Sequence, residues 1–312
     1  MRWILCGKND PAVRCLEFLV ARGDEILVVA TAGDDGTDAW QRSLAGAARA
    51  LGVGMERPAH INAEAFVAKL AAFGAHALVS IQYDQILKAP LLEGIGCPCL
   101  NLHFALLPRH RGVSPIAWAI ALGDREAGVT LHHMAAAIDA GDVIAQRALP
   151  IPPDGTAREL YDALSQAAVD LFCESYPFSD DLLALRLPQN PADASYHRAG
   201  EFDFSLRNAD WTRPAAELHS WLRAMIFPPH QYPVLKWRGR TLGIARVGKS
   251  VEPAERGGAL AGTVLACSPR EIRVAASGGT LSIRALVDES GAPLDLHGFA
   301  RSSAVGEVLT GS

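Results

Sequence analysis

The chain has 312 residues, 49% of them apolar and 20% charged, with a formal charge of −5. This composition excludes a disordered chain, and at roughly 150 residues per domain the length predicts about two domains. A chain this long buries roughly three quarters of its unfolded surface, so no disulfide or metal staple is needed. The apolar run 113–122 is the longest and is about half the ~20 residues of a membrane span. The start, Met1-Arg2-Trp3-Ile4-Leu5-Cys6, meets Lys8 and Asp10 too early for a signal peptide, so a cytoplasmic protein with no membrane partner is expected. The six cysteines are scattered, with Cys97-Pro98-Cys99 the one close pair, and free thiols rather than a metal site are expected. Charge is uneven: residues 1–203 hold 16 Lys and Arg against 25 Asp and Glu, whereas 204–312 hold 13 against 9.

Residues 3–6 read as a short apolar strand. Val13, Leu16 and Val20 follow at helical spacing, and Gly23 stops that helix. Residues 26–30 are a second buried strand. Asp38 is expected to cap a helix carrying Trp40, Leu44, Ala48 and Leu51. Asn62 is expected to cap the next helix, with Phe66, Leu70 and Phe73 on one face. Residues 77–81 and 99–103 are the third and fourth strands. Repeated units of this kind predict an α/β fold, a doubly wound, mostly parallel sheet whose ligands lie outside the carboxyl ends of its strands.

A loop, 104–114, leads to a short helix, 115–122. Residues 128–134 and 143–149 read as a strand pair around the turn 138–142. Thr156 caps a long helix reaching about Cys173. Residues 177–203 are rich in Pro, Asp and Asn and read as a connection. A helix with Leu218, Trp221, Leu222 and Met225 follows. Short apolar runs at 234–237, 242–247, 263–266, 272–275 and 281–286 then predict a small antiparallel barrel or sandwich. The expected boundaries are an α/β catalytic domain over 1–185, a linker over 186–203 and a barrel-like domain over 204–312.

Gly7-Lys8-Asn9-Asp10-Pro11 follows the first strand where a dinucleotide fold would carry Gly-x-Gly-x-x-Gly, and no phosphate-loop motif occurs. The informative stretch is 101–146. The strand's period of two puts Asn101 and His103 on one face at its carboxyl end. Taken alone, that spacing favours a structural Asn and a satisfied His. Leu107-Pro108-Arg109-His110-Arg111-Gly112 is a stiff, basic loop beside the pair. Asp139 sits on a tight Gly-containing turn, where it is either aimed inward or an ordinary turn aspartate. His132-His133 alternate faces and do not read as joint metal ligands. Trp211, Trp221 and Trp237 read as core rather than as a base-stacking platform.

The run Asn101-Leu102-His103-Phe104-Ala105-Leu106-Leu107-Pro108, with Arg111-Gly112, Pro115, Gly128-Val129-Thr130-Leu131-His132 and Ile138-Asp139-Ala140-Gly141-Asp142, closely resembles the formyltransferases that use 10-formyltetrahydrofolate. The resemblance covers residues 1 to about 175, and Ala209-Asp210-Trp211 and Pro228-Pro229 extend it toward that family's C-terminal barrel. It implies that Asn101, His103 and Asp139 are catalytic. It implies that the loop Ser80-Ile81-Gln82-Tyr83-Asp84-Gln85-Ile86-Leu87 holds the pterin, with Gln82, Tyr83, Ile86, Leu87 and Asp142 on the cofactor side. Asp142 is also the weaker candidate for the catalytic acid. His110, Arg111 and Val113 would line the acceptor side, where an Arg suits a phosphate or carboxylate. Asn101 and a protonated His103 would donate to the developing oxyanion, Asp139 would raise the histidine's pKa and accept the amine's proton directly or through water, His103 as the base is the open alternative, and no metal is required.

The acceptor is expected to be a small-molecule amine, such as an amino-sugar nucleotide or a siderophore or peptide amino-acid precursor. Methionyl-tRNA formyltransferases usually carry a basic insertion after the second strand. Here Ala32-Gly33-Asp34-Asp35-Gly36-Thr37-Asp38 is short and acidic, which disfavours nucleic acid. Methionyl-tRNA is the runner-up. A hydrolase releasing formate from the same cofactor is a third reading, set back because such enzymes usually carry a regulatory domain ahead of the first strand. A homodimer is left open.

Overall fold

Alternating apolar strands and amphipathic helices build the first sheet. Strand β1 (Arg2–Gly7) is buried from Trp3 onward and feeds helix α1 (Asn9–Ala21), which turns Val13, Leu16 and Leu19 inward. Next come β2 (Glu25–Ala30), α2 (Leu44–Ala50), the short strand β3 (Gly54–Glu56), α3 (Glu64–Phe73) and β4 (Ala77–Ile81). Then follow α4 (Ala89–Gly94), β5 (Cys99–His103), β6 (Arg111–Gly112), α5 (Pro115–Ala121), β7 (Glu126–His133), β8 (Val143–Pro150) and α6 (Ala157–Ser175). The sheet order is β3-β2-β1-β4-β5-β7-β8. The pairs from β3 through β5 are parallel, and β7 runs antiparallel to β5. This is the expected α/β architecture, with one edge strand, β3, that the pattern did not reveal.

The computed structural model describes residues 1–37, 40–248, 259–301 and 304–311. The chain divides into two compact units. The first comprises Met1–Pro115, Ala127–Leu149 and Asp162–Arg198, and the second Ile116–Glu126, Pro150–Tyr161 and Ala199–Ser312. Among the described residues no helix is long and apolar enough to cross a membrane. The six cysteines are free thiols.

Local capping departs from the sequence pattern at two helices. Asp38 lies outside the described residues, and α2 starts at Leu44 under Ser43, whose Oγ accepts from Gly46 N at 2.8 Å. Trp40 therefore precedes the helix. The cap position of α3 is Ala63, because the Asn62 amide is used elsewhere. It donates to Ile86 O and accepts from Lys88 N, both at 2.8 Å. Thr156 does start α6, through a reciprocal pair with Glu159: Thr156 N donates to Glu159 Oε2 at 2.9 Å.

Residues 177–198 are not a bare connection. They contain α7 (Asp180–Ala184), a single 3₁₀ turn (Pro191–Asp193) and β9 (Tyr196–His197), which pairs in parallel with β6. Pro, Asp and Asn serve here as caps and turn residues: Ser179 and Asn190 each accept from a main-chain N–H of the turn they start.

The second unit carries α8 (Ala215–Met225) and the antiparallel strands β10 (Val234–Trp237), β11 (Arg240–Gly248), β12 (Val264–Cys267), β13 (Ile272–Ala276), β14 (Gly279–Val287) and β15 (Pro293–Leu294), followed by α9 (Leu296–Arg301). The sheet order is β10-β11-β14-β13-β12, with β15 added on β14. Its core includes Trp211, Leu218, Leu222, Ile244 and Ile283. Trp237 stacks on Phe299 at 4.0 Å and donates its indole N–H to Glu307. Trp211 and Trp237 are thus core residues, as the absence of an interleaved basic run implies.

Candidate active site

The register of β5 against β7 brings the chemistry together. Asn101 lies opposite His132 and His103 opposite Thr130. The turn after β7 then carries Asp139 back over the carboxyl end of β5. The His103 ring is buried, and its Nδ1 stands 3.5 Å from Asp139 Oδ2. On the other side of the ring, Nε2 lies 2.8 Å from His110 O. A carbonyl only accepts, so Nε2 carries the proton and Nδ1 of the neutral ring is a bare lone pair aimed at the carboxylate. The same logic applies at His132, whose Nδ1 bonds to His133 O at 2.8 Å. Its Nε2 therefore accepts from Asn101 Nδ2 at 3.2 Å. A longer contact of 3.5 Å runs from Asn101 Nδ2 to Asp139 Oδ1.

Burial decides the protonation of the histidine. Desolvation lowers the His103 pKa below its ordinary 6.5, and the opposing pull of Asp139 is smaller. The expected protonated donor is therefore corrected: the ring is neutral at pH 7. Burial alone would raise the Asp139 carboxyl, but the His103 and His132 rings, whenever they carry a proton toward it, and the Gly112 N–H outweigh burial and bring it down to about 2. His132, set aside in the sequence as a strand histidine, belongs to this cluster.

Close main-chain approaches fix the carboxylate. Gly112 N donates to Asp139 Oδ2 at 2.8 Å. Gly112 has φ +89°, and a Cβ there would stand 2.2 Å from His197 O. A Cβ on Gly141 would stand 1.9 Å from His133 O, so the turn after Asp139 closes on β7 only through glycine. Asp142 falls outside the cluster. Its carboxylate is 3.9 Å from Arg186 Nε, and its main-chain O accepts from His133 N.

The residues expected on the acceptor side separate. Val113 is exposed, and Arg111 is half-buried with its guanidinium on Gln189. His110 is corrected from an acceptor-facing residue to a support. It is buried, its ring stacks on His197 with Nδ1 3.0 Å from His197 Nε2, and its carbonyl holds His103. Gln189 and His197 escaped the sequence reading because they lie in the stretch taken as linker.

The loop after β4 is held by side-chain amides. Gln82, at φ +54°, accepts from Asn9 Nδ2 at 3.0 Å. Gln85 accepts from Ile61 N and donates to Pro58 O and to the Tyr83 hydroxyl, and burial pushes the Tyr83 phenol up. The Asn62 amide grips residues 86 and 88, so the intervening Leu87 peptide is fixed while the Ile86 side chain stays 59% exposed.

Comparison with known proteins bears on this geometry. A family model described as formyl transferase matches residues 30–175, and one described as formyl transferase, C-terminal domain, matches 207–304. The chain is 30% identical over 320 residues to the methionyl-tRNA formyltransferase of Heliobacterium modesticaldum, covering 98% of each. The chain belongs to the formyltransferase family. The methionyl-tRNA formyltransferase of Symbiobacterium thermophilum is 36% identical over 259 residues, 83% of this chain and 78% of that one. Among solved structures, the N-formyltransferase from Helicobacter canadensis, in complex with folinic acid and dTDP-3-aminofucose, shares the fold. Its TM-score is 0.72 at 22% identity, over 90% of this chain and 98% of that one. This formyltransferase is therefore an enzyme of one-carbon group transfer built on a known two-part scaffold.

Three substitutions test the site in this formyltransferase. Gly112→Ala forces a side chain into the left-handed region against His197 O and should lower stability by about 1–3 kcal/mol. A denaturant midpoint unchanged from wild type would contradict the packing. Asp139→Asn should reduce formyl transfer by about 100-fold or more, while Asp142→Asn stays within about threefold of wild type. A side-by-side assay in which Asp142→Asn is the inactive variant would move the expected carboxylate from Asp139 to Asp142.

Proposed function

We propose that this formyltransferase moves the formyl group of 10-formyltetrahydrofolate to the amine of a small molecule that carries a phosphate or carboxylate, as in an amino-sugar nucleotide. The chemistry rests on the convergence of Asn101, His103 and Asp139 at the carboxyl edge of the sheet. The cofactor supplies an activated formyl carbon. The residues present fit it: the exposed Ile86 side chain offers an apolar face for a flat ring, and the fixed Leu87 peptide offers main-chain donors and acceptors for a pterin edge.

Each side chain then has one task. Asn101 turns the N–H of its long 3.5 Å contact toward the formyl oxygen and stabilises the charge that develops there. One such donor is commonly worth about 3 kcal/mol. The amine nitrogen forms its bond to the formyl carbon and gives up a proton to the bare Nδ1 of His103. Asp139 stabilises the imidazolium so formed. As the bond to the cofactor nitrogen breaks, the same proton passes from Nδ1 to that nitrogen. His103 is thus the proton carrier, and Asp139 acts through it.

The acidic loop after β2 carries the acceptor assignment. Asp34 Oδ2 accepts from Ala45 N at 2.8 Å, and Asp35 Oδ1 accepts from Thr37 N and Oγ1. Both carboxylates are built into the turn at the carboxyl edge, where RNA phosphates would be repelled. A cavity of about 260 Å³ opens at that edge, lined by Lys8, Asn9, Thr31 and the same turn. Arg42 lines the same cavity but is paired with Asp10 and Glu17, and Lys8 is a second cation in the lining, suited to a single anionic group. The second reading, methionyl-tRNA, draws support from the names of the relatives. The test is formyl transfer from 10-formyltetrahydrofolate at physiological salt to amino-sugar nucleotides and to charged initiator tRNA in parallel. Turnover of the former without the latter is expected. Efficient formylation of the tRNA alone would replace the small-molecule reading.

A further inference from the structure

Gln189 touches both halves of the site with one side chain. Its Nε2 donates to Asp139 O at 2.8 Å and to Gly141 O at 2.7 Å, along the turn that presents the carboxylate. Its Oε1 accepts from Arg111 Nε at 3.0 Å and Nη2 at 2.7 Å. One residue beyond Arg111, the Gly112 N–H reaches back to Asp139 Oδ2. The links close a ring that runs from the Asp139 carboxylate through Gly112 and Arg111 to Gln189 and back to the Asp139 main chain.

Such a ring answers a specific need. Asp139 sits at φ +51°, a region that side-chain-bearing residues disfavour, so its conformation must be held from outside. Carbonyls accept only, and the guanidinium donates only. A neutral amide, with a donor and an acceptor end on one short stem, satisfies both and adds no charge beside His103. Gln189 is itself anchored. Leu187 and Val143 exchange main-chain bonds of 2.9 and 3.1 Å, and Ser195 O accepts from Arg111 N at 2.9 Å.

Resting on the reading of Asp139 as the partner of the proton carrier, we propose that Gln189 is a positioning residue. It sets the Asp139 carboxylate against His103 through its donor end and, through its acceptor end, fixes the guanidinium of Arg111, the residue expected on the acceptor side. It touches no reacting atom.

The two ends separate by substitution. Gln189→Glu keeps an acceptor for Arg111 and removes both donors to the Asp139 turn. Gln189→Leu removes both ends. The assay is steady-state formyl transfer from 10-formyltetrahydrofolate to dTDP-3-aminofucose or to charged initiator tRNA, whichever the wild-type protein formylates, well below each variant's melting temperature. Gln189→Glu should lower kcat by about 10- to 100-fold, the scale of a small misplacement, with the acceptor KM within about twofold of wild type. Gln189→Leu should lower kcat as much and also raise the acceptor KM. Should Gln189→Leu fail to fold, Gln189→Glu decides alone. A kcat for Gln189→Glu within about twofold of wild type overturns the proposal, and so does a rise in acceptor KM equal to its loss in kcat. Asp139→Asn run alongside distinguishes the two levels. If it is inactive while Gln189→Glu is not, Gln189 alone is misassigned. If Asp139→Asn keeps the wild-type rate, or the wild type formylates neither acceptor, the underlying reading falls and this one with it.

Discussion

Across 3.5 Å in a buried site, the bare Nδ1 of His103 faces an ionised carboxylate. Two acceptors in that arrangement repel until one proton enters between them. The His110 carbonyl prevents relief by tautomer exchange, because it demands the proton on Nε2. Burial prevents relief by protonation in the resting state, because it disfavours the imidazolium more than Asp139 favours it. In the proposed reaction the pair takes its proton from the attacking amine. Most of the surrounding architecture holds this tension in place. Asp139 in the left-handed region, the Gly112 N–H on its carboxylate and the glycine at 141 closing on β7 all fix one oxygen atom.

Much of this was legible in the residues. The period of two in Asn101-Leu102-His103 placed both polar side chains on one face, and alternating strand and helix runs gave the sheet that puts them at its carboxyl edge. Other features could not be read that way. The protonation of His103 depends on a carbonyl seven residues on and on the depth of burial, and neither appears in a spacing. His132 reaches the cluster through the antiparallel register of β7, which pairs it with Asn101. The Asn62 side chain looked like a helix cap, and the loop at Ile86 and Lys88 outcompeted the helix for it. Gln189 lay in a Pro- and Asn-rich stretch whose composition is that of a linker and whose residues act as caps, turns and a strand.

The acceptor divides the relatives. Sequence similarity over nearly the whole chain leads to proteins named for methionyl-tRNA, and a shared fold leads to a protein solved with an amino-sugar nucleotide. Fold and overall identity report the scaffold and the common formyl chemistry, whereas acceptor choice lies in a few loops on its rim. At the rim after β2 this chain has carboxylates fixed by main-chain donors. A phosphate backbone needs several cations there, and the cavity at that edge is lined by Lys8 and by an Arg42 already paired with Asp10 and Glu17.

Everything proposed for the site depends on a neutral His103 that carries its proton on Nε2 beside an ionised Asp139. Nitrogen-15 NMR of protein labelled at histidine, titrated from pH 8 to 5 with His103→Gln for assignment, observes it directly. At pH 7 the His103 ring should be neutral with its proton on Nε2. It should titrate below the ordinary 6.5, and lower still in Asp139→Asn, where the carboxylate that favours the charged ring is gone. An imidazolium signal from His103 at pH 7, or a pKa that rises in Asp139→Asn, would contradict it.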